Sequence, residues 1–259
     1  MHRLLPALAA GLLLSPAELP DAQVRFKGHT ASVRVRNLGY RAVRAKTTEE
    51  AHQILVDPRF AIGAAVIPPD MPALDLRGAL RALSQLASVE ELTFLVHGQR
   101  PFSQRRRELA QAGVGLALWD PVDAHTLRFQ LNRVFAGNVP LRGRRRALRA
   151  PAAWRVDLRL GRRQKEARVY TISARGVYLA TKAPALRGVS LDVELPLPLG
   201  TVQAAGRVAM TNVPGNLMKQ ILPVGMGVRF DSVSAEAEAL LQVYAEERLR
   251  ELARPLLHR

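Results

Sequence analysis

Short apolar runs recur at regular intervals along the first half of the chain, with stretches of helical periodicity between them. This alternation is typical of β–α units, whose strands form a parallel sheet with helices on both faces. The strand candidates are residues 8–14, 41–45, 62–67, 92–97 and 115–119. The helix candidates are residues 30–38, 48–56, 76–87, 103–112 and 124–135. Thr47 or Thr48, and Asp123, precede two of these helices as expected N-caps. The pattern therefore predicts an α/β domain at residues 1–138.

Beyond Pro140 the pattern changes to short strands separated by turn residues. Evenly spaced short strands of this kind indicate an antiparallel barrel or sandwich. The strand candidates are residues 154–160, 166–172, 176–180, 190–195, 202–211 and 225–230. Residues 234–257 follow with one apolar helical face, and Ser234 is the expected N-cap. We expect this helix to pack on the mouth of the barrel or on a partner chain, within a second domain at residues 151–259.

The first residues allow two interpretations. Met1-His2-Arg3 followed by LLPALAAGLLL has the positive start and apolar stretch of a signal peptide, and it also fits the first buried strand of the α/β domain. We favour the strand, because the domain lacks an opening strand unless this segment supplies it. No run elsewhere approaches the roughly 18 apolar residues of a membrane span. We therefore expect a soluble, cytoplasmic protein.

The net positive charge of the chain is concentrated in its second half, and this adds a functional indication to the predicted fold. The 259 residues carry 38 Lys and Arg against 22 Asp and Glu, for a net charge of +16. Twelve basic and two acidic side chains fall between Arg142 and Arg175, and residues 139–150 form an Arg-rich linker between the two domains. Such a stretch indicates an anionic ligand. Aromatic residues make up only 5% and no recognition helix accompanies the charge, so the sequence does not favour nucleic acid.

Candidate catalytic and metal-ligating groups do not assemble in the sequence. The absence of cysteine excludes disulfides, thiolate metal sites and Cys nucleophiles. The six His are scattered, without pairing at metal-ligand spacing. No Ser–His–acid set or glycine-rich phosphate loop stands out. We therefore expect a protein that is not an enzyme and that holds neither a metal nor a cofactor.

Three segments of the first half carry a likeness to a known family. They are NLGYRAVRAKTTEEAHQIL, DMPALDL and WDPVDAHTLRFQLNRVF. In this order they resemble the receiver domain of two-component response regulators, over about residues 6–137. The resemblance implies a (βα)5 fold. Phosphotransfer in that family needs an Asp at the end of the third strand, two acids after the first strand to hold Mg²⁺, a Thr or Ser after the fourth strand and a Lys at the end of the fifth.

The receiver chemistry is missing at the corresponding positions. Pro68 stands in the place of the phosphorylated Asp, and Leu14-Ser15-Pro16 in that of the acid pair. His97 replaces the Thr or Ser, and Asp120 replaces the Lys. Asp70 is the nearest carboxylate to the lost acceptor, two residues on. We expect a degenerate receiver that takes no phosphoryl group and serves protein–protein contact, with a homodimer as one form of it.

Two short motifs and a closing strand occur in order along the second half. Arg145-Arg146-Ala147-Leu148-Arg149 has the form R-x-x-x-R, and Arg144 extends it. Thr171-Ile172-Ser173-Ala174-Arg175-Gly176 approaches the form D/N-x-S-x-x-G, and a strand with the sequence GMGVRF follows before the last helix. Together they resemble the PilZ domain, over about residues 140–250. The resemblance implies a six-stranded antiparallel barrel and, as in many members of the family, binding of the second messenger cyclic di-GMP.

The resemblance also implies which residues hold this ligand. Arg144, Arg145 and Arg149 would clamp phosphates and guanine, while Ser173 and Gly176 would line the barrel face. Arginine suits both tasks, because its planar fork donates two hydrogen bonds to phosphate or to the guanine edge and can stack on a ring. Glycine at the loop permits a positive φ or a close approach of the ligand.

One position departs from the family pattern. Thr171 stands where the family has Asp or Asn. Threonine keeps a hydroxyl but lacks the carboxylate that would accept two N–H bonds from guanine, an expected loss of about 1–3 kcal/mol.

Two functional hypotheses follow. In the first, the chain is a non-enzymatic signalling protein that couples cyclic di-GMP binding to an unidentified protein partner through its phosphorylation-incompetent, receiver-like domain. The alternative is a PilZ-type scaffold that no longer binds nucleotide and acts only through protein partners. The Arg-rich segment at residues 139–150 also allows a simpler interpretation, in which it is a solvated linker between the domains and its arginines bind no ligand.

Overall fold

The computed structural model describes the backbone of residues 11–15, and residues 35–71, 75–87, 92–136, 147–213 and 222–252. The chain divides into two units, Met1–Leu141 with Leu252–Arg259 and Arg142–Glu251. Among the described residues, no helix is long and apolar enough to cross a membrane.

The first unit contains five strands and four helices in its described ranges. The strands are β1 (Gly11–Ser15), β2 (Arg41–Ala45), β3 (Ala64–Ile67), β4 (Thr93–Gly98) and β5 (Leu116–Trp119). The helices are α1 (Thr48–Val56), α2 (Leu76–Leu86), α3 (Ser103–Gln111) and α4 (Ala124–Ala136). From β2 onwards these elements lie where the periodicity predicts them. Of the helix predicted at residues 30–38, residues 30–34 lie outside the described part, and residues 35–37 form a single helical turn.

The five strands form one sheet in the order β2-β1-β3-β4-β5. The predicted parallel pairing is confirmed for β3, β4 and β5. β1, however, runs antiparallel to both neighbours, with Leu12 opposite Arg44 and Val66. The prediction of a fully parallel sheet is wrong for this strand, because an apolar run indicates burial and not direction. Direction depends on the connection to the next strand, and residues 16–34 lie outside the described part.

Side-chain caps determine where two helices of this unit begin. Thr47 Oγ1 accepts a hydrogen bond from the backbone N–H of Glu50 at 3.1 Å, so the first of the two candidate threonines is the cap of α1. Asp123 Oδ1 accepts the N–H groups of His125 and Thr126 at 2.8 and 2.9 Å, at the start of α4. Burial of Asp123 disfavours its charge, but the hydrogen bonds from Thr126 and His125 outweigh burial and lower the pKa of its carboxyl. Both predicted caps are present.

The second unit contains seven strands and one helix in its described ranges. The strands are β6 (Ala150–Pro151), β7 (Arg155–Leu160), β8 (Arg163–Ser173), β9 (Gly176–Ala180), β10 (Ser190–Leu197), β11 (Gly200–Asn212) and β12 (Gly225–Ser232), and the helix is α5 (Ala235–Leu252). The order β8-β7-β10-β11-β12-β9 returns to β8, so six strands close into an antiparallel barrel. The predicted barrel is confirmed over the alternative of a sandwich. The short strand β6, which pairs with β8, was not predicted.

The core of the barrel follows from the alternation of side chains along each strand. On β10 every second side chain is buried, and these are Leu191, Val193, Leu195 and Leu197. α5 packs on the same core through Ala237 and Leu241. Ser234 Oγ accepts the N–H of Ala237 at 3.2 Å and caps this helix as predicted. We expected this helix to pack on the barrel or on a partner chain, and the structure shows it packed on the barrel.

Gly176 stands at the seam where the barrel closes. It pairs with Ser173 on β8 and with Arg229 on β12. Its φ lies outside the left-handed region, so a positive φ is not the reason for glycine here. A Cβ at this position would collide with the backbone carbonyl oxygen of Val228. The close approach that requires glycine is therefore that of the β12 backbone, which the sequence did not indicate.

We expect Leu241→Ala to lower the free energy of unfolding of the second unit by about 2–4 kcal/mol, because it leaves a cavity between α5 and the barrel. Leu241 is fully buried. Val243→Ala, on the same helix at a position 39% exposed, is the control and should cost about 0.5 kcal/mol or less. Urea unfolding followed by the fluorescence of Trp154, in a Trp119→Phe background, measures both. Equal costs would contradict the described packing.

Gly176→Ala should destabilise the second unit by at least about 2 kcal/mol, because the methyl group forces β9 and β12 apart. Gly115 has open space around its Cβ position, so Gly115→Ala is the control and should change stability by less than about 1 kcal/mol. Urea unfolding of each variant measures the difference. Wild-type stability of Gly176→Ala would show that the seam is looser than described.

Candidate ligand-binding site

β6 brings the end of the Arg-rich segment against the barrel wall. Ala150 and Pro151 pair with Ile172 and Thr171 on β8. The preceding residue, Arg149, is half-buried, and its Nη1 donates a hydrogen bond to Thr171 Oγ1 at 3.1 Å. The last arginine of the first motif and the first residue of the second motif, 22 positions apart, are therefore in direct contact.

The two hydroxyl groups of the second motif are buried and have partners within the protein. Thr171 is 4% exposed and Ser173 is 2% exposed. Thr171 Oγ1 accepts from Arg149, and Ser173 Oγ donates to the backbone oxygen of Gly176 at 3.1 Å. A hydroxyl has one donor and two acceptor positions, so each group can still accept a further hydrogen bond.

Two of the predicted ligand residues, Arg144 and Arg145, lie outside the part of the chain that the structure describes. Their roles therefore stay predictions. The arginines that follow along the chain lie on the surface of the strands and turns. These exposed residues are Arg155, Arg159, Arg162, Arg163 and Arg168.

An aromatic pair beside Thr171 was missed by the sequence analysis. Tyr178 stands opposite Thr171 on β9, and its ring meets the ring of Tyr170 edge to face at a centroid distance of 5.7 Å. Tyr178 Oη donates to the backbone oxygen of Pro223 at 2.6 Å, and Asn212 Nδ2 lies 3.3 Å from the same oxygen. The register of β8 and β9 shifts between Val169 and Thr171, which breaks the alternation that sequence patterns detect.

α5 holds β6 in position. Tyr244 Oη donates to the backbone oxygen of Pro151 at 2.8 Å. The rings of Tyr244 and Trp154 lie 4.7 Å apart between centroids. Since Pro151 is two residues from Arg149, the C-terminal helix helps to set where that guanidinium lies.

A groove of about 780 Å³ lies elsewhere on the barrel wall, across β7, β10 and β11. Its lining carries both charges, with Arg155 and Arg159 beside Asp157, Asp192 and Glu194. None of the predicted ligand residues that the structure describes, Arg149, Thr171, Ser173 and Gly176, lines it. The groove and the Arg149–Thr171 contact are therefore separate features of the second unit.

The positions that correspond to the phosphotransfer residues of the receiver family lie at the ends of strands in the first unit. Pro68 follows β3, and His97 near the end of β4 has its Nε2 3.4 Å from Asp120 Oδ1, just after β5. Leu14 stands opposite Ala64 at the start of β3, because β1 is reversed. The end of β1 at Leu14 and Ser15 therefore lies at the opposite end of the strands from Pro68. Asp70 is exposed.

No three His, Asp or Glu side chains lie together as metal ligands would, in the part of the chain that the structure describes.

Comparison with solved structures gives partial matches. The inhibitor of motility MotI/DgrA of Bacillus subtilis is 21% identical, with 42% of this chain and 53% of that one covered and a TM-score of 0.36. The PilZ domain of YcgR from Escherichia coli with c-di-GMP is 21% identical, with 42% and 94% covered and a TM-score of 0.34. The PlzA protein of Borreliella burgdorferi in complex with c-di-GMP is 11% identical, with 44% of each chain covered and a TM-score of 0.28. This chain thus spans about half the length of MotI/DgrA. No curated protein matches it.

A family-level comparison matches one continuous stretch of the second unit. The matching family is described as the PilZ domain, and the match covers residues 143–247. This stretch includes both motifs, the closed barrel and most of α5. Residues 143–247 are therefore a PilZ domain, and the second unit of this chain belongs to that family.

Proposed function

We propose that this chain is a non-enzymatic signalling protein whose PilZ domain binds cyclic di-GMP and whose receiver-like unit contacts a protein partner. PilZ domains are a family of cyclic di-GMP receptors. The observation that carries the proposal is the hydrogen bond of 3.1 Å from Arg149 to Thr171. It joins the two motifs by which the family is known at one place on the barrel wall.

Binding would proceed by an exchange of hydrogen bonds at this place. The ligand displaces the Arg149–Thr171 bond, in which only the donor is charged. The freed guanidinium then donates to a phosphate, where donor and acceptor are both charged and the planar fork can form two hydrogen bonds. Arg144 and Arg145 add further donors from the linker. The exchange favours the bound state because a pair of opposite charges replaces a bond to a neutral hydroxyl.

Thr171 sets the affinity of this site. With Asp or Asn the family offers groups that recognise the guanine edge, whereas a threonine hydroxyl offers a single oxygen. Binding should therefore be weaker than with the carboxylate, by up to about a hundredfold.

The first unit would transmit the signal by contact and not by phosphorylation. Pro68 cannot accept a phosphoryl group, and Asp120 stands where a lysine would be needed. The reversed β1 supports this proposal, because it leaves the place beside Pro68 without the acid pair of the family pattern. The partner is a protein, and the chain itself is one candidate, as a homodimer.

Isothermal titration of the full chain with cyclic di-GMP tests the proposal. We expect saturable binding, and no saturable binding up to about 100 μM ligand, within the micromolar-to-millimolar range of weak affinities, would overturn it. Arg145→Ala and Arg149→Ala should each weaken binding at least about tenfold, since each removes a charge-assisted contact. Arg163→Ala, an exposed position at the start of β8, is the control and should leave the affinity unchanged.

Thr171→Asp should tighten binding of cyclic di-GMP by about tenfold or more, because the carboxylate accepts two N–H bonds from guanine. The same titration measures it, with urea unfolding as the check that the barrel is intact. An intact Thr171→Asp protein with unchanged affinity would show that residue 171 does not contact the base.

A second candidate function is a PilZ scaffold that binds no nucleotide. The observation that favours it is the burial of Thr171 and Ser173, whose hydroxyls already have partners in the protein. The scaffold predicts that the same protein partner is captured by the wild-type chain and by a variant with Arg144, Arg145 and Arg149 changed to Ala. Loss of the partner in that variant would contradict it.

A further inference from the structure

A line of outward-facing residues crosses the seam of the barrel beside the proposed site. Ser173 on β8 pairs with Gly176 on β9, Gly176 with Arg229 on β12, and Arg229 with Arg207 on β11. Their chain neighbours Ile172, Val177 and Val228 belong to the barrel core. Successive residues of a strand point to opposite faces, so these residues face away from the core. Arg207 and Arg229 are exposed, whereas Ser173 and Gly176 are buried.

Arg229 lacks a countercharge on this wall. It is exposed, and its cross-strand neighbour Arg207 has the same charge. The nearest acid along β12, Asp231, pairs with Arg207, with Nε and Oδ2 3.9 Å apart. Among the described residues no acidic group forms an ion pair with Arg229. Like charges opposite each other on neighbouring strands are destabilising, so the structure carries an uncompensated positive charge here.

A second cation lies close to Arg229. Arg175 is exposed in the turn between β8 and β9, and its backbone oxygen accepts the N–H of Phe230 at 3.1 Å. This hydrogen bond places the turn against β12 next to Arg229. The positive charge at the start of β9 therefore comes from Arg229 on β12 and from Arg175 in the turn, in addition to the arginines of the linker.

Gly176 is buried and contributes no side chain between these cations and the proposed site. It separates Ser173 from Arg229 by two strand spacings, about 10 Å. Arg149 reaches the same region of the wall from the other side of β8, through Thr171. An anionic ligand placed over Gly176 would thus have arginines on two opposite sides.

We propose that Arg229 is a further ligand-binding residue, which contacts a phosphate of the dinucleotide from the β12 side, opposite Arg149, with Arg175 adding to the local positive field. This inference rests on the proposed function. A ligand with two phosphates fits such a site, because it presents negative charge on more than one side and supplies the missing countercharge of Arg229.

Titration of the full chain with cyclic di-GMP, at two salt concentrations, tests the inference. Arg229→Ala should weaken binding at least about tenfold. Its affinity should also fall less steeply with added salt than that of the wild type, because one screened charge pair is gone. Arg229→Gln, which keeps most of the side-chain length, should give the same loss. The control is Arg168→Ala, an exposed arginine on β8, which should change affinity less than about threefold.

The outcomes separate this inference from the proposed function. If the wild type shows no saturable binding, the proposed function is overturned, and this inference with it. Wild-type binding with equal affinity in Arg229→Ala or Arg229→Gln overturns only the role of Arg229. An equal loss in Arg168→Ala also overturns that role, because the effect would then come from net charge and not from position.

Discussion

Closure of the barrel between β8 and β9 is the constraint on which the candidate site depends. The pairing brings Ser173 opposite Gly176, and the pairing of β9 with β12 brings Gly176 opposite Arg229. Only a residue without a side chain allows the backbone of β12 to approach this closely. The same absence of a side chain means that no side chain stands between Ser173 and Arg229 along the three paired strands.

The buried hydroxyl groups of the candidate site form hydrogen bonds within the protein. Buried hydroxyls cost free energy unless they form hydrogen bonds, and Thr171 and Ser173 find partners in Arg149 and a backbone oxygen. Arg149 directly precedes β6, which pairs with β8. The hydroxyl of Tyr244 on the C-terminal helix donates a hydrogen bond to the backbone oxygen of Pro151 in β6. These side chains are therefore held in place by contacts within the protein.

The first unit shows that strand order alone does not define a phosphorylation site. Its order β2-β1-β3-β4-β5 is that of doubly wound sheets of the receiver type. A phosphoryl site also needs the carboxyl ends of the first and third strands at one edge, and β1 is antiparallel to β3. The end of the sheet near Pro68 carries His97 and Asp120, with Nε2 and Oδ1 3.4 Å apart.

The sequence by itself determined the positions of most elements and the family, because periodicity and capping are local properties of the chain. The bounds of β2, α1 and β9 agree with the pattern, and Thr47, Asp123 and Ser234 cap helices as expected. The motif residues were named from their spacing, but the contact of Arg149 with Thr171 needed the pairing of β6 with β8. The tertiary structure alone decided the direction of β1, the reason for Gly176 and the proximity of Arg229 to it. These features depend on which strands pair and in which direction, between segments distant along the chain. The pattern of hydrophobic and polar residues within one segment shows which face is buried, but it does not name the strand that pairs with it.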